Sequence, residues 1–174
     1  MKYAFVYGAI GGAIAISIIS AILALDLSNH TSSVWFGYLV MLASLSLIFV
    51  GMKRYRDVEC GGVIRFWRAL GLGVAMAAVA GLIYALGWEV FVAASGYDFI
   101  SDYSRAMVEG MRAEGATQAA IDAKVAELGQ MATMYNNPPI RIAMIFVEIF
   151  PVGLLVALVS AALLRNPRML PATR

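Results

Sequence analysis

The chain has 174 residues, of which 61% are hydrophobic and only 14% charged, and its mean hydropathy is +0.80. An ordinary soluble domain carries about 25% charged and about 45–50% apolar residues, so that class is excluded first. The net charge of +2 is too small to point to nucleic acid. One cysteine and one histidine rule out an internal disulfide and leave His/Cys zinc chemistry without ligands, so no metal and no cofactor is expected.

The expected fold is all-α: a polytopic membrane protein with one membrane domain over 1–174. Four spans near 4–25, 34–52, 69–94 and 140–164 each reach the roughly 20 apolar residues that hydrocarbon demands. An extracytoplasmic helical hairpin is inserted at 95–139. The first apolar run exceeds the ~7–15 residues of a secretory signal, and no small-x-small cleavage pattern follows, so it reads as a retained span. Within it Gly8 and Gly12 make a GxxxG step, beside a small-residue stripe of Ala9, Ala13, Ser17 and Ala21. Such positions let helices approach closely in lipid, either inside one four-helix subunit or across a homo-oligomeric interface.

Between the first two spans lies a short outer loop with His30, a lone histidine that reads as a surface residue. Asn29-His30-Thr31 matches a glycosylation acceptor but sits close to two span ends. In the second span Ser44 and Ser46 are expected to bond back to helix carbonyls.

The next segment, Lys53 to Arg68, puts five basic residues between two apolar runs. Nine of the thirteen Lys and Arg fall on its side of the membrane, counting Lys2, Arg165, Arg168 and Arg174, so both termini are expected in the cytoplasm. Arg56-Asp57 reads as a local ion pair, and Gly61-Gly62 as a turn free of side chains. Besides setting topology, Lys53, Arg54, Arg56, Arg65 and Arg68 could gather anionic lipid headgroups. Cys60 there reads as a free thiol.

In the third span Gly73, Ala77 and Gly81 repeat the small-residue spacing. Gly71-x-Gly73 is no dinucleotide site, because it lies in an apolar helix with no strand before it. Glu89 falls about 30 Å from the cytoplasmic start of this helix, near the outer interface. Trp35, Tyr38, Trp67 and Trp88 lie near predicted interfaces, where amphipathic rings anchor helices.

In the outer segment, Asp98 is a natural N-cap for a helix to about Glu114, Gly115 a stop, and Thr117 a second cap. Ile100, Tyr103, Met107 and Met111 draw one apolar stripe; Ile121, Val125, Leu128, Ala132 and Tyr135 draw another. The two helices therefore pack as an antiparallel hairpin or lie on the membrane surface. From Ser95 to Pro139 six acids face three bases, a balance of −3, against +5 for the remainder. That acidity fits a solvated outer face or a docking surface for a protein partner.

The last span holds the most costly polar group. A charge at mid-bilayer costs at least ~2.5–3.5 kcal/mol, and Glu148 stands in Phe146-Val147-Glu148-Ile149-Phe150-Pro151 with no adjacent charge. Pro151 cannot donate, which frees the carbonyl of Val147. Arg141, two turns nearer the outer face, is placed to reach toward Glu148. The carboxyl is either structural and hydrogen-bonded, or a proton, cation or ligand site.

The runs Val50-Gly51-Met52-Lys53-Arg54-Tyr55-Arg56-Asp57, Gly61-Gly62-Val63-Ile64-Arg65-Phe66-Trp67-Arg68-Ala69-Leu70, Asn137-Pro138 and Glu148-Ile149-Phe150-Pro151-Val152-Gly153 occur in this order. In them the chain resembles the bacterial membrane family called domain of unknown function 4199, over most of its length from the second span onward. The resemblance implies a bacterial four-helix protein of the inner (cytoplasmic) membrane with an outer helical segment. It maps the family's Tyr-Arg-Asp and Gly-Gly positions onto Tyr55, Arg56, Asp57, Gly61 and Gly62, without roles, and brings no established activity.

The leading functional expectation is a non-enzymatic accessory or assembly protein that docks a partner on the outer hairpin. The alternative is a small transporter or lipid-handling protein, oligomeric, that uses Glu148. Catalysis would need a second positioned acid, base or nucleophile, which the sequence does not offer.

Overall fold

The computed structural model describes residues 1–25 and 34–171. Asn29, His30 and Thr31, and the terminal Arg174, lie outside the described residues. Those described form seven helices and no strand: α1 (Lys2–Ala24), α2 (Val34–Leu45), α3 (Leu47–Glu59), α4 (Phe66–Ser95), α5 (Phe99–Ala113), α6 (Gln118–Tyr135) and α7 (Pro138–Leu164). Four stretches are long and apolar enough to cross a membrane: Lys2–Ala24, Gly37–Glu59, Phe66–Ser95 and Pro138–Leu164.

The second of these joins α2 and α3. The backbone of Ser46 stays right-handed helical, its N–H still bonds the carbonyl of Leu42, and its hydroxyl bonds back to the carbonyl of Ala43 at 2.6 Å. The interruption is thus a local distortion of one continuous helix.

The basic segment differs from its reading as a loop from residue 53. Lys53 to Glu59 continue α3, because nothing breaks the helix there and Lys53 pairs with Asp57 one turn on at 2.7 Å. The turn is confined to Cys60–Arg65. It starts where Gly61 and Gly62 take φ of +62° and +87°, values that side chains disfavour. The carbonyl of Arg56 then accepts from the N–H groups of both Cys60 and Gly62.

The chain divides into two compact units, Met1–Trp88 with Ile145–Arg174, and Glu89–Met144. In the first, α1 packs on α2 and α3. It also meets α4 so closely that a Cβ on Gly8 would fall 2.6 Å from the carbonyl oxygen of Met76, and one on Gly12 would strike the backbone of Ala80. The interface of α4 with α7 is as tight: a Cβ on Gly73 would lie 2.7 Å from that of Ala157, and one on Gly153 2.8 Å from that of Ala77. Gly81 faces Phe146 and Ile149. Ala77 is buried, as are the core side chains Leu45, Ile48, Met52, Met76, Ile149 and Leu164.

In the second unit α5 packs on α6. Asp98 caps α5 by accepting from the N–H of Ser101, and Thr117 caps α6 by accepting from that of Ala120. Gly115, at φ +76°, ends α5 in a Schellman turn: Ala116 N–H bonds the carbonyl of Met111, and Gly115 N–H that of Arg112. Asn136 follows α6, and α7 begins at Pro138, a position where no N–H is needed.

The close approaches define a mutational contrast. Gly8→Ala, which drives a methyl into backbone, should destabilise the chain by about 1–3 kcal/mol. Gly71→Ala, with nothing within 4 Å, should stay within about 0.5 kcal/mol of the parent. Unfolding in mixed micelles followed by circular dichroism measures both.

Candidate functional site

Three polar centres emerge, each built by a different part of the chain. The first is Arg56. Ile48, Met52 and Arg56 follow one another at four-residue spacing on the buried side of α3, so the guanidinium is carried inward with none of its side chain exposed. Its Nε donates to Asp57 at 2.7 Å. Nη1 donates to the carbonyl of Met169 at 3.0 Å and Nη2 to that of Leu170. The segment after α7 thus folds back over the charge, and Leu170 takes a positive φ of 51° to do so. A fully buried cation needs this number of acceptors to offset its lost hydration.

Around this centre Tyr55 accepts from Arg68 at 2.7 Å and has that guanidinium over its ring. Tyr3 packs edge-on against Tyr55 and donates to Glu59 at 3.1 Å. Arg54 donates to the Tyr7 hydroxyl at 3.4 Å, so Lys53, Arg54, Arg56 and Arg68 all have partners within the protein, which leaves Arg65 of the five bases proposed to gather headgroups. Arg54 borders a mixed groove of about 310 Å³ with Lys2, Tyr3, Val6, Tyr7 and Glu59.

The second centre is Glu89 with Arg141. Arg141 does not reach toward Glu148: its Nε and Nη2 grip the two carboxylate oxygens of Glu89 at 2.6 Å each. This fork is the strong geometry for a guanidinium and a carboxylate. Both side chains are largely buried, at 12% and 19% exposure. Nη1 donates to the carbonyl of Tyr135, whose ring lies under the guanidinium at 5.3 Å. Beside this pair a cavity of about 240 Å³ is lined by Tyr97, Asp98, Phe99, Tyr135, Asn136 and Arg141 among others.

The third centre is Glu148. It lies on the outer surface of its helix, not in a core, and it has no hydrogen-bond partner among the described residues. Val147, whose carbonyl Pro151 leaves without a helical donor, is 66% exposed beside it. Ser44 also differs from expectation. It is buried, yet its hydroxyl has no partner among the described residues, whereas Ser160 bonds back to the carbonyl of Val156.

The hairpin carries an open groove of about 360 Å³, lined by Ile100, Ser101, Ser104, Val125, Leu128, Gly129 and Ala132. Ile121 and Leu128 of the α6 stripe are buried, but Val125 is 51% exposed and forms part of the groove wall.

Sequence reasoning missed the burial of Arg56, the fold-back of Met169 and Leu170, and the pairing of Glu89 with Arg141. The first had a signal, the four-residue repeat Ile48, Met52, Arg56. The others join residues far apart in the chain, and no local pattern marks them.

These features define an all-helical protein with four helices suited to a lipid bilayer. The chain belongs to the DUF4199 family: the family model, described as a protein of unknown function, matches residues 2–166. The match includes the first span, which lies ahead of the motifs that carried the resemblance. No curated protein and no solved structure matches the chain.

Two measurements test the centres. Removing residues from Met169 onward should cost about 1.5–3 kcal/mol, the worth of hydrogen bonds to a charged group, and much less in an Arg56→Met background; the difference in micelle unfolding is their coupling. At α5 the Ser101 hydroxyl and backbone N–H hold the Asp98 carboxyl below its ordinary pKa. A carboxyl depressed in the folded state stabilises above its unfolded pKa of about 3.9 and loses that contribution as pH falls through the folded value. Protection of the first α5 amides in hydrogen exchange should therefore drop below about pH 4, and Asp98→Asn should abolish that dependence.

Proposed function

We propose that this chain is a non-enzymatic accessory protein of the bacterial inner membrane that docks a protein partner on its helical hairpin outside the cytoplasm, with both termini inside. The observation that supports this most directly is the groove between α5 and α6. Soluble helices normally close such an apolar seam, yet here Val125 in the groove wall remains 51% exposed. An open apolar seam rimmed by polar residues is characteristic of a surface that another helix completes. The balance of six acids to three bases around it favours an amphipathic partner helix with basic flanks.

The caps of α5 and α6 and the bidentate Glu89–Arg141 pair give this surface a rigid base. Within the hairpin unit Glu89 is paired with Arg141, Asp102 with Arg105 and Glu127 with Lys124, which supports a binding role over a catalytic one. Positive residues at Lys2 and along Lys53 to Arg68 favour the stated orientation.

Two experiments test the proposal. With Cys60 replaced by serine, a cysteine placed at Val125 should react with a membrane-impermeant maleimide in intact spheroplasts, while native Cys60 in the parent should react only after permeabilisation; the reverse pattern would refute the orientation. A photo-reactive side chain at Val125 should cross-link one defined protein, and Leu128→Asp in the same groove should remove that product. A product unchanged by Leu128→Asp would refute the docking surface.

A further inference from the structure

The geometry points to a second copy of this chain as the occupant of the α7 face that carries Glu148, forming a parallel dimer in which the two Glu148 carboxyls meet. In the membrane-spanning unit, Ile145, Ile149, Gly153, Ala157, Ala161 and Leu164 are buried against the rest of the bundle. Glu148, Pro151, Leu155, Leu158 and Ala162 are all exposed. Their spacing of three, four, three and four residues makes a continuous seam of the kind along which two helices supercoil.

An exposed apolar seam alone would only meet lipid. This one carries two unsatisfied polar groups at the same height, the Glu148 carboxyl and the Val147 carbonyl that Pro151 leaves free. They lie about 15 Å along a helix of 27 residues, a depth at which hydrocarbon supplies no hydrogen bond.

The polar groups themselves select the occupant. Two copies inserted in the same orientation and related by a two-fold axis along the membrane normal bring each residue to the depth of its own counterpart. A neutral carboxyl has one donor and spare acceptors, so it is complementary to itself. Each Glu148 can donate to the partner subunit's Glu148 carboxyl or Val147 carbonyl, and both copies are satisfied by the same contact. A shallow apolar groove of about 350 Å³ lined by Leu42, Phe49, Leu155, Val159 and Leu163 borders the seam and gives the partner's side chains room to interdigitate. The Gly8 and Gly12 face, the sequence-level candidate for such contact, is covered by α4 of the same chain.

The test uses the full chain with Cys60→Ser in vesicles of phosphatidylethanolamine and phosphatidylglycerol. Energy transfer between labelled copies should report a dimer that dilutes reversibly with added lipid. Disulfide cross-linking should be efficient from Leu155→Cys and negligible from Ile10→Cys, a residue exposed on α1. Glu148→Gln, which keeps a donor and an acceptor, should hold the dissociation constant within about threefold, whereas Glu148→Leu should raise it by about tenfold, the scale of one or two interhelical hydrogen bonds in a membrane. Leucine inserts more readily than glutamate, so loss of the dimer in that variant would not reflect failed insertion, and its helicity checks this. A wild-type chain that stays monomeric, a Glu148→Leu variant that dimerises as the parent does, or cross-linking from Ile10→Cys in place of Leu155→Cys would overturn the inference.

Discussion

Hydrocarbon offers no hydrogen-bond partner, so in the four long helices each polar group must be met by the protein or carry a heavy cost. The arrangement of the chain follows from how it meets that demand. Backbone groups are satisfied by helix formation, and Ser46 and Ser160 by bonding back to carbonyls in their own helix. Arg56 cannot be served locally. Its guanidinium draws in the adjacent Asp57 and two carbonyls from the segment after α7, more than a hundred residues away in sequence. The Tyr55-Arg56-Asp57 motif is thereby explained in physical terms: the arginine ties the end of the chain to α3, the aspartate shares its charge with Lys53, and the tyrosine receives Arg68.

Where no polar group is at stake, packing rests on backbone proximity. Lipid competes equally for apolar side chains, so α1, α4 and α7 gain by coming closer than lipid tails can. Gly8, Gly12, Gly73 and Gly153 supply that closeness, each with a neighbouring helix where its Cβ would stand. The hairpin unit follows the other rule, with helices closed by Asp98, Gly115 and Thr117 and sides divided into apolar and charged faces. Its Glu89–Arg141 fork works where burial is partial, and there the two charges hold a tight bidentate geometry.

Membership of a family without an assigned activity shifts the functional question to surfaces left incomplete. Two such surfaces carry chemistry. The hairpin groove is apolar within an acidic unit, and the α7 seam holds a carboxyl without a partner among the described residues.

The sequence by itself determined the class, the four long helices and the ends of α5 and α6. Those properties depend on composition over about 20 residues or on contacts within one turn, and both can be read along the chain. It also marked Glu148 as costly and Gly61-Gly62 as a turn. It placed the end of the second helix a full two turns early, because charge was read as loop where helix periodicity in fact continued through Lys53 and Asp57. Only the tertiary structure decided which acid Arg141 meets, that the segment after α7 closes over the buried Arg56, and that Glu148 faces outward. The partners of Arg141 and Arg56 lie more than fifty residues away, and the facing of Glu148 depends on the rotation of its helix against the others; only the burial of Arg56 had a local sign, in the Ile48, Met52, Arg56 repeat.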